Sequence, residues 1–132
     1  MQAATKQCSV TAYGPTFRTP ADFRGAWTQF YGAGTSCQGG VGVKTLTVSD
    51  QVLGPDGKTW FTIAGSTHTV GPTGANPVHL IYDRIAVLGH VYRSVADAMI
   101  VAPNGHAGCS LHVPPDCTTT YHLRAISKPL AP

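Results

Sequence analysis

The chain contains no glutamate, and its six acidic residues, Asp22, Asp50, Asp56, Asp83, Asp97 and Asp116, are all aspartates. Glutamate is a strong helix former, so its absence argues against a helical domain. It also excludes a microbial ribonuclease of the Glu/His/Arg kind and leaves a glycosidase only an aspartate pair. Charged residues make up 11% of the chain, well below the usual quarter. The four lysines and five arginines are scattered singly. No basic stripe exists to neutralise several phosphates at once, which argues against nucleic acid as a partner. No apolar run approaches the roughly 20 residues that cross a bilayer; the longest candidate, VHLIYDRIAVLGHVY, is interrupted by Asp83 and Arg84. A membrane is not expected as a partner. The sequence also lacks C-x-x-C, H-x-x-x-H and G-x-S-x-G patterns, so no zinc knuckle, metal site, redox motif or compact hydrolase signature is present, and no cofactor is implied.

What is present points to strands and turns. Sixteen threonines, fifteen glycines and ten prolines in 132 residues fit a single mainly-β domain spanning 1–132. The expected fold class is a disulfide-stabilised β-sandwich or partly open barrel with one short helix at about residues 20–31. That helix is read from TPADFRGAWTQFYG, where Thr19 caps, Pro20 suits the first turn, Asp22 completes a capping box, and Phe23, Trp27 and Phe30 or Tyr31 share a helical face. VGVKTLTVSDQVL and KTWFTIAGSTHTV alternate apolar and polar residues about the turn GPDG, a hairpin pattern. NPVHLIYD and RIAVLGHVYR read as two strands or one bent one. SVAD could open a short helix, although AMIVA suits a buried strand. AGCSLHV and CTTTYHLRAIS form the last expected hairpin, GAGTSCQGGVG an expected loop, and the tails 1–6 and 127–132 expected frayed ends.

Four cysteines without metal spacing favour disulfides and an oxidising compartment, hence a secreted, extracellular protein. Of the three connectivities, Cys8–Cys37 with Cys109–Cys117 is the most local. The second pair would close CSLHVPPDC, a nonapeptide stiffened by two prolines. Val113 precedes a proline and is driven out of the helical region, while Pro114 and Pro115 fix their own φ near −65°. Ser110, Leu111, His112 and Val113 are therefore expected to extend as a stiff strand, the form a protease cleft accepts at small entropic cost.

These nine residues resemble the reactive loop of Bowman–Birk serine-protease inhibitors. Cys109 and Cys117 match the staple, Ser110 stands where that family has threonine, Leu111 falls at the specificity position, and Pro114 and Pro115 match the two prolines. His112 departs from the family's serine after the scissile bond, and the rest of the chain does not share the resemblance. It implies a protein partner with an apolar specificity pocket, a chymotrypsin-like or subtilisin-like protease. The competing reading of the loop is a purely structural staple.

Two other classes compete. A carbohydrate-binding or adaptor module of a secreted assembly would display Trp27, Trp60, Tyr92 and Tyr121 in an exposed row. A small secreted hydrolase would bring one of His68, His79, His90, His106, His112 or His122 beside Asp83 or Asp97 in a pocket. The reading taken forward is a non-enzymatic protein-binding domain.

Overall fold

The computed structural model describes residues 2–4, 8–18, 27–38, 43–103 and 118–132. Among these residues nine strands follow in order: β1 (Gln2–Ala4), β2 (Cys8–Arg18), β3 (Trp27–Cys37), β4 (Val43–Leu53), β5 (Trp60–Thr62), β6 (His68–Thr73), β7 (Val78–Ala86), β8 (Tyr92–Pro103) and β9 (Thr118–Ile126). They form two sheets. The first has the order β1-β2-β3-β7; in the second, β4 carries β8 and then β9 on one side, with β5 and β6 end to end along its other side. All pairings between these strands are antiparallel. The mainly-β reading stands, as a sandwich that does not close into a barrel.

Alternation along the strands builds the core between the sheets. Val10 and Ala12 from β2, Tyr31 and Ala33 from β3, Leu46 and Val48 from β4, Ala96, Ala98 and Ile100 from β8 and Ala125 from β9 are all buried there. At about 25 cal/mol per Å² of apolar surface removed from water, this layer is the main favourable contribution to folding. In β2 the alternation changes step at Gly14–Pro15, where the pairing with β3 shifts between Tyr13 and Thr16. Gly14 has φ of 80°, and a Cβ there would lie 2.5 Å from the carbonyl oxygen of Phe30, so this bulge requires glycine.

Several expectations are corrected. Residues 27–31 are strand and not the end of a helix; the rest of that expected helix, 20–26, lies outside the described residues. The spacing that looked helical becomes a period of two once β3 is paired on both sides: Tyr31 points into the core, while Phe30 lies on the opposite face. Residues 32–37 of the expected glycine-rich loop continue the same strand, and Cys37 is directly opposite Cys8, to which it is disulfide-bonded. A cross-link spanning this separation contributes roughly 3–4 kcal/mol by the chain-entropy argument. VHLIYDRIA is one strand, because Asp83 faces outward and Arg84 inward without breaking the alternation. SVAD and AMIVA both belong to β8. Its partner β9 pairs out to Pro103 opposite Thr118, so the last hairpin begins earlier than AGCSLHV. At the C-terminus, where fraying was expected, Ser127 is buried and Leu130 exchanges backbone hydrogen bonds of 2.8 and 3.0 Å with Tyr92. Gln2–Ala4 pairs with Ser9–Thr11.

Candidate functional site

Two features stand out from an otherwise ordinary sandwich: the outward face of the first sheet and a polar cluster inside. The outward face is built on the small residues of β3. A Cβ on Gly34 would lie 2.3 Å from the hydroxyl of Tyr13 and 2.8 Å from Nδ1 of His79. Glycine there lets Tyr13 and His79 meet across the strand, with the hydroxyl and Nδ1 3.4 Å apart. Beside them lies a shallow groove of about 410 Å³ between Tyr13, Phe17, Phe30 and Ile81, with Gly32 also along its lining. At its end the Arg18 guanidinium lies 5.0 Å from the centre of the Phe30 ring, a cation–π contact. Along β7, His79, Ile81, Asp83 and Ile85 all face outward, and Ile81 and Ile85 are 68% and 69% exposed. Ile81 and Ile85 thus place two exposed aliphatic side chains among the polar ones of this strand.

The internal cluster joins both sheets. Gln29 and Arg84 are register partners on β3 and β7, as are Tyr31 and Tyr82. Asp50 of β4, fully buried, accepts a 2.5 Å hydrogen bond from Nε2 of Gln29, with Nε of Arg84 4.0 Å from the same carboxylate oxygen. Ser66, also fully buried, receives the backbone N–H of Asp50 on its Oγ and donates to the Ile63 carbonyl. The Tyr31 hydroxyl donates to the Ser66 carbonyl at 2.8 Å. Loss of water raises the Asp50 carboxyl to about 7, against the opposing influences of Arg84 and the Gln29 hydrogen bond. Burial, reinforced by Asp50, raises the Tyr31 phenol to about 12. Among the described residues, Oδ1 of Asp50, Oε1 of Gln29 and Nε of Arg84 have no hydrogen-bond partner. The raised carboxyl lets the cluster take up one proton near neutral pH.

Ser110, Leu111, His112, Val113, Pro114 and Pro115, together with Cys109 and Cys117, lie outside the described residues, as does His106. The remaining histidines are dispersed. His68 stacks on Tyr82 with ring centres 3.6 Å apart, His79 sits beside Tyr13, and His90 lies 6.4 Å from Tyr92. His122 is on the outward face of the second sheet opposite Met99, where the exposed Asp97 pairs with Arg124 at 3.5 Å. Among the described residues no group of three potential metal ligands comes together. Nor do the aromatics form an exposed row. Tyr92 is buried, with its hydroxyl accepting from the Val87 N–H, Tyr121 packs against the core, and Trp60 is covered by Arg93 at 4.2 Å.

Sequence reasoning missed the inward cluster and the apolar edge. Both have a signal in retrospect: in KTLTVSD the charged Lys44 and Asp50 share parity with Leu46 and Val48, and in VHLIYDRIA the two isoleucines share parity with His79 and Asp83. No protein-family model, curated protein or solved structure matches this chain.

Proposed function

We propose that this chain is a secreted, non-enzymatic, disulfide-containing domain that acts by binding protein, in its most concrete form as an inhibitor of a chymotrypsin-like or subtilisin-like serine protease through residues 109–117. In this reading Leu111 is the specificity residue and Leu111–His112 the bond presented to the enzyme. The observation that supports it is the bonded Cys8–Cys37 pair, which leaves Cys109 and Cys117 only each other as partners within the chain. The ladder between β8 and β9, running out to Pro103 and Thr118, supports it further by bringing together the two ends of the connection that carries both cysteines. A stapled segment on a rigid hairpin loses little freedom on docking and keeps its ends together if cut.

Titration of the oxidised protein against chymotrypsin and subtilisin, followed by mass mapping, tests this directly. Stoichiometric inhibition, slow cleavage after Leu111 and loss of inhibition in Leu111→Asp are the expected results. Absence of inhibition by a protein with the Cys109–Cys117 bond intact would reduce the loop to a structural staple. A second reading, an interaction module without inhibitory activity, is favoured by the exposed Ile81 and Ile85 on the outward face of β7.

A further inference from the structure

The four ends of the two sheets are not treated alike. β1 and β5 are three residues long, too short to template another strand. β6 carries Pro72 and pairs with β4 through an irregular register. β9 turns Thr120, His122 and Arg124 outward. Short length, proline, irregularity and charge are the usual devices that stop an edge from recruiting another chain. β7 has neither short length, proline nor irregularity: among the described residues its nine residues pair with β3 on one side only, contain no proline and run in unbroken register, and between and beside the outward His79 and Asp83 they present Ile81 and Ile85 to solvent.

We propose that β7 is the docking edge for a second copy of this chain, the two β7 strands pairing antiparallel about a two-fold axis at Ile81 so that the first sheets of both copies become one continuous sheet. The order of polar and apolar residues selects this occupant and this register. With Ile81 facing its own counterpart, His79 of each copy lies opposite Asp83 of the other on the same face. An imidazole thus meets a carboxylate twice, as hydrogen-bond donor and acceptor, and the two Ile81 side chains meet between them. Moving the axis to Tyr82 sets Ile81 against Asp83, moving it to Asp83 sets two carboxylates face to face, and moving it to Leu80 sets His79 against Ile81. A strand whose polar and apolar residues are self-complementary in one antiparallel register is suited to an isologous interface, in which one patch serves both partners. Backbone hydrogen bonds along the free edge supply affinity, and the side-chain pairs fix the register.

Sedimentation equilibrium of the full chain over a concentration series tests the proposal, with circular dichroism confirming that each variant is folded. The wild type is expected to reach twice the monomer mass. His79→Asp and Asp83→His, both at exposed positions, should each raise the dimer dissociation constant by about tenfold or more, and the double exchange should restore most of the affinity. Ile81→Cys adds a check on register: directly opposite residues in an antiparallel pair lie within disulfide reach, so oxidation with diamide should produce a covalent dimer, whereas Asp83→Cys should not. A wild type that remains monomeric to about 1 mM, singles that dimerise as well as the wild type, or cross-linking no better at residue 81 than at 83 would each overturn the proposal.

Discussion

The inner face of β4 carries a charge at each end and aliphatic side chains between. Lys44, Leu46, Val48 and Asp50 are all fully buried and all point the same way. At one end the Lys44 ammonium donates to the Ala75 carbonyl at 2.8 Å, reaching past the core along its aliphatic stem. At the other, Asp50 sits against Gln29 and Arg84, and its second carboxylate oxygen has no hydrogen-bond partner among the described residues. Burial lowers the lysine and raises the aspartate, so each charge is held at the cost of its preferred ionisation. The difference is one of means: a flexible cation finds a carbonyl near the rim, whereas a short anion needs a network built around it from the opposite sheet. The aliphatic middle supplies stability, and the polar ends govern how that stability responds to pH.

The largest expected effect breaks the middle. Leu46→Ala, fully buried, should cost about 2–5 kcal/mol in denaturant unfolding. Next is the anionic end. At pH 4, where the folded carboxyl is protonated, Asp50→Ala should cost about 1–3 kcal/mol, because the buried Gln29 amide loses its acceptor. The pH response then sharpens the comparison. With Asp50 at about 7 folded and near 3.8 unfolded, the folded state binds the extra proton between about pH 4 and 7. The contribution of Asp50 to stability is therefore complete below that window and falls by about 1.4 kcal/mol per pH unit as pH rises through it. Asp50→Asn should lack this slope, and parallel pH profiles for the two proteins would refute the assignment. Lys44, lowered when folded, works in the opposite sense: its contribution rises as alkaline pH approaches the ordinary lysine value of 10.5, while Tyr31 counters it between about 10 and 12. The smallest effect belongs to the surface, where Arg124→Ala, parting the exposed Asp97 pair, should change stability by at most about 0.5 kcal/mol.

Much of this architecture was legible in the sequence, and the misreadings share a cause. The turn GPDG does separate strands, with both carboxylate oxygens of Asp56 engaged by the following residues; these hydrogen bonds, chiefly from Thr59, hold its carboxyl down at about 2. The Cys8–Cys37 pairing was legible as the local choice. Residues 27–37 were misread because their aromatic spacing and glycines describe a helix and a loop when only near neighbours count. The strand is instead dictated by β2 and β7, which are far away in sequence, and glycine is needed where Tyr13 and His79 pass over it. The site was less legible than the fold. Parity in KTLTVSD groups Lys44 with Asp50, but only the opposing sheet decides that this parity faces inward and brings Arg84 to meet the aspartate. Likewise VHLIYDRIA does not disclose that it ends a sheet, and the exposure of Ile81 follows from that position.

The bond between Cys8 and Cys37 also makes the β2–β3 hairpin and its connection a covalent ring. One backbone cut anywhere between those two residues opens the ring without releasing a piece: the product is a single molecule heavier by one water. A nicked preparation would keep its size on a non-reducing gel and separate into two fragments once reduced. This hairpin is therefore a place where the chain can be interrupted, or its ends relocated, while the covalent connection through the sandwich is preserved.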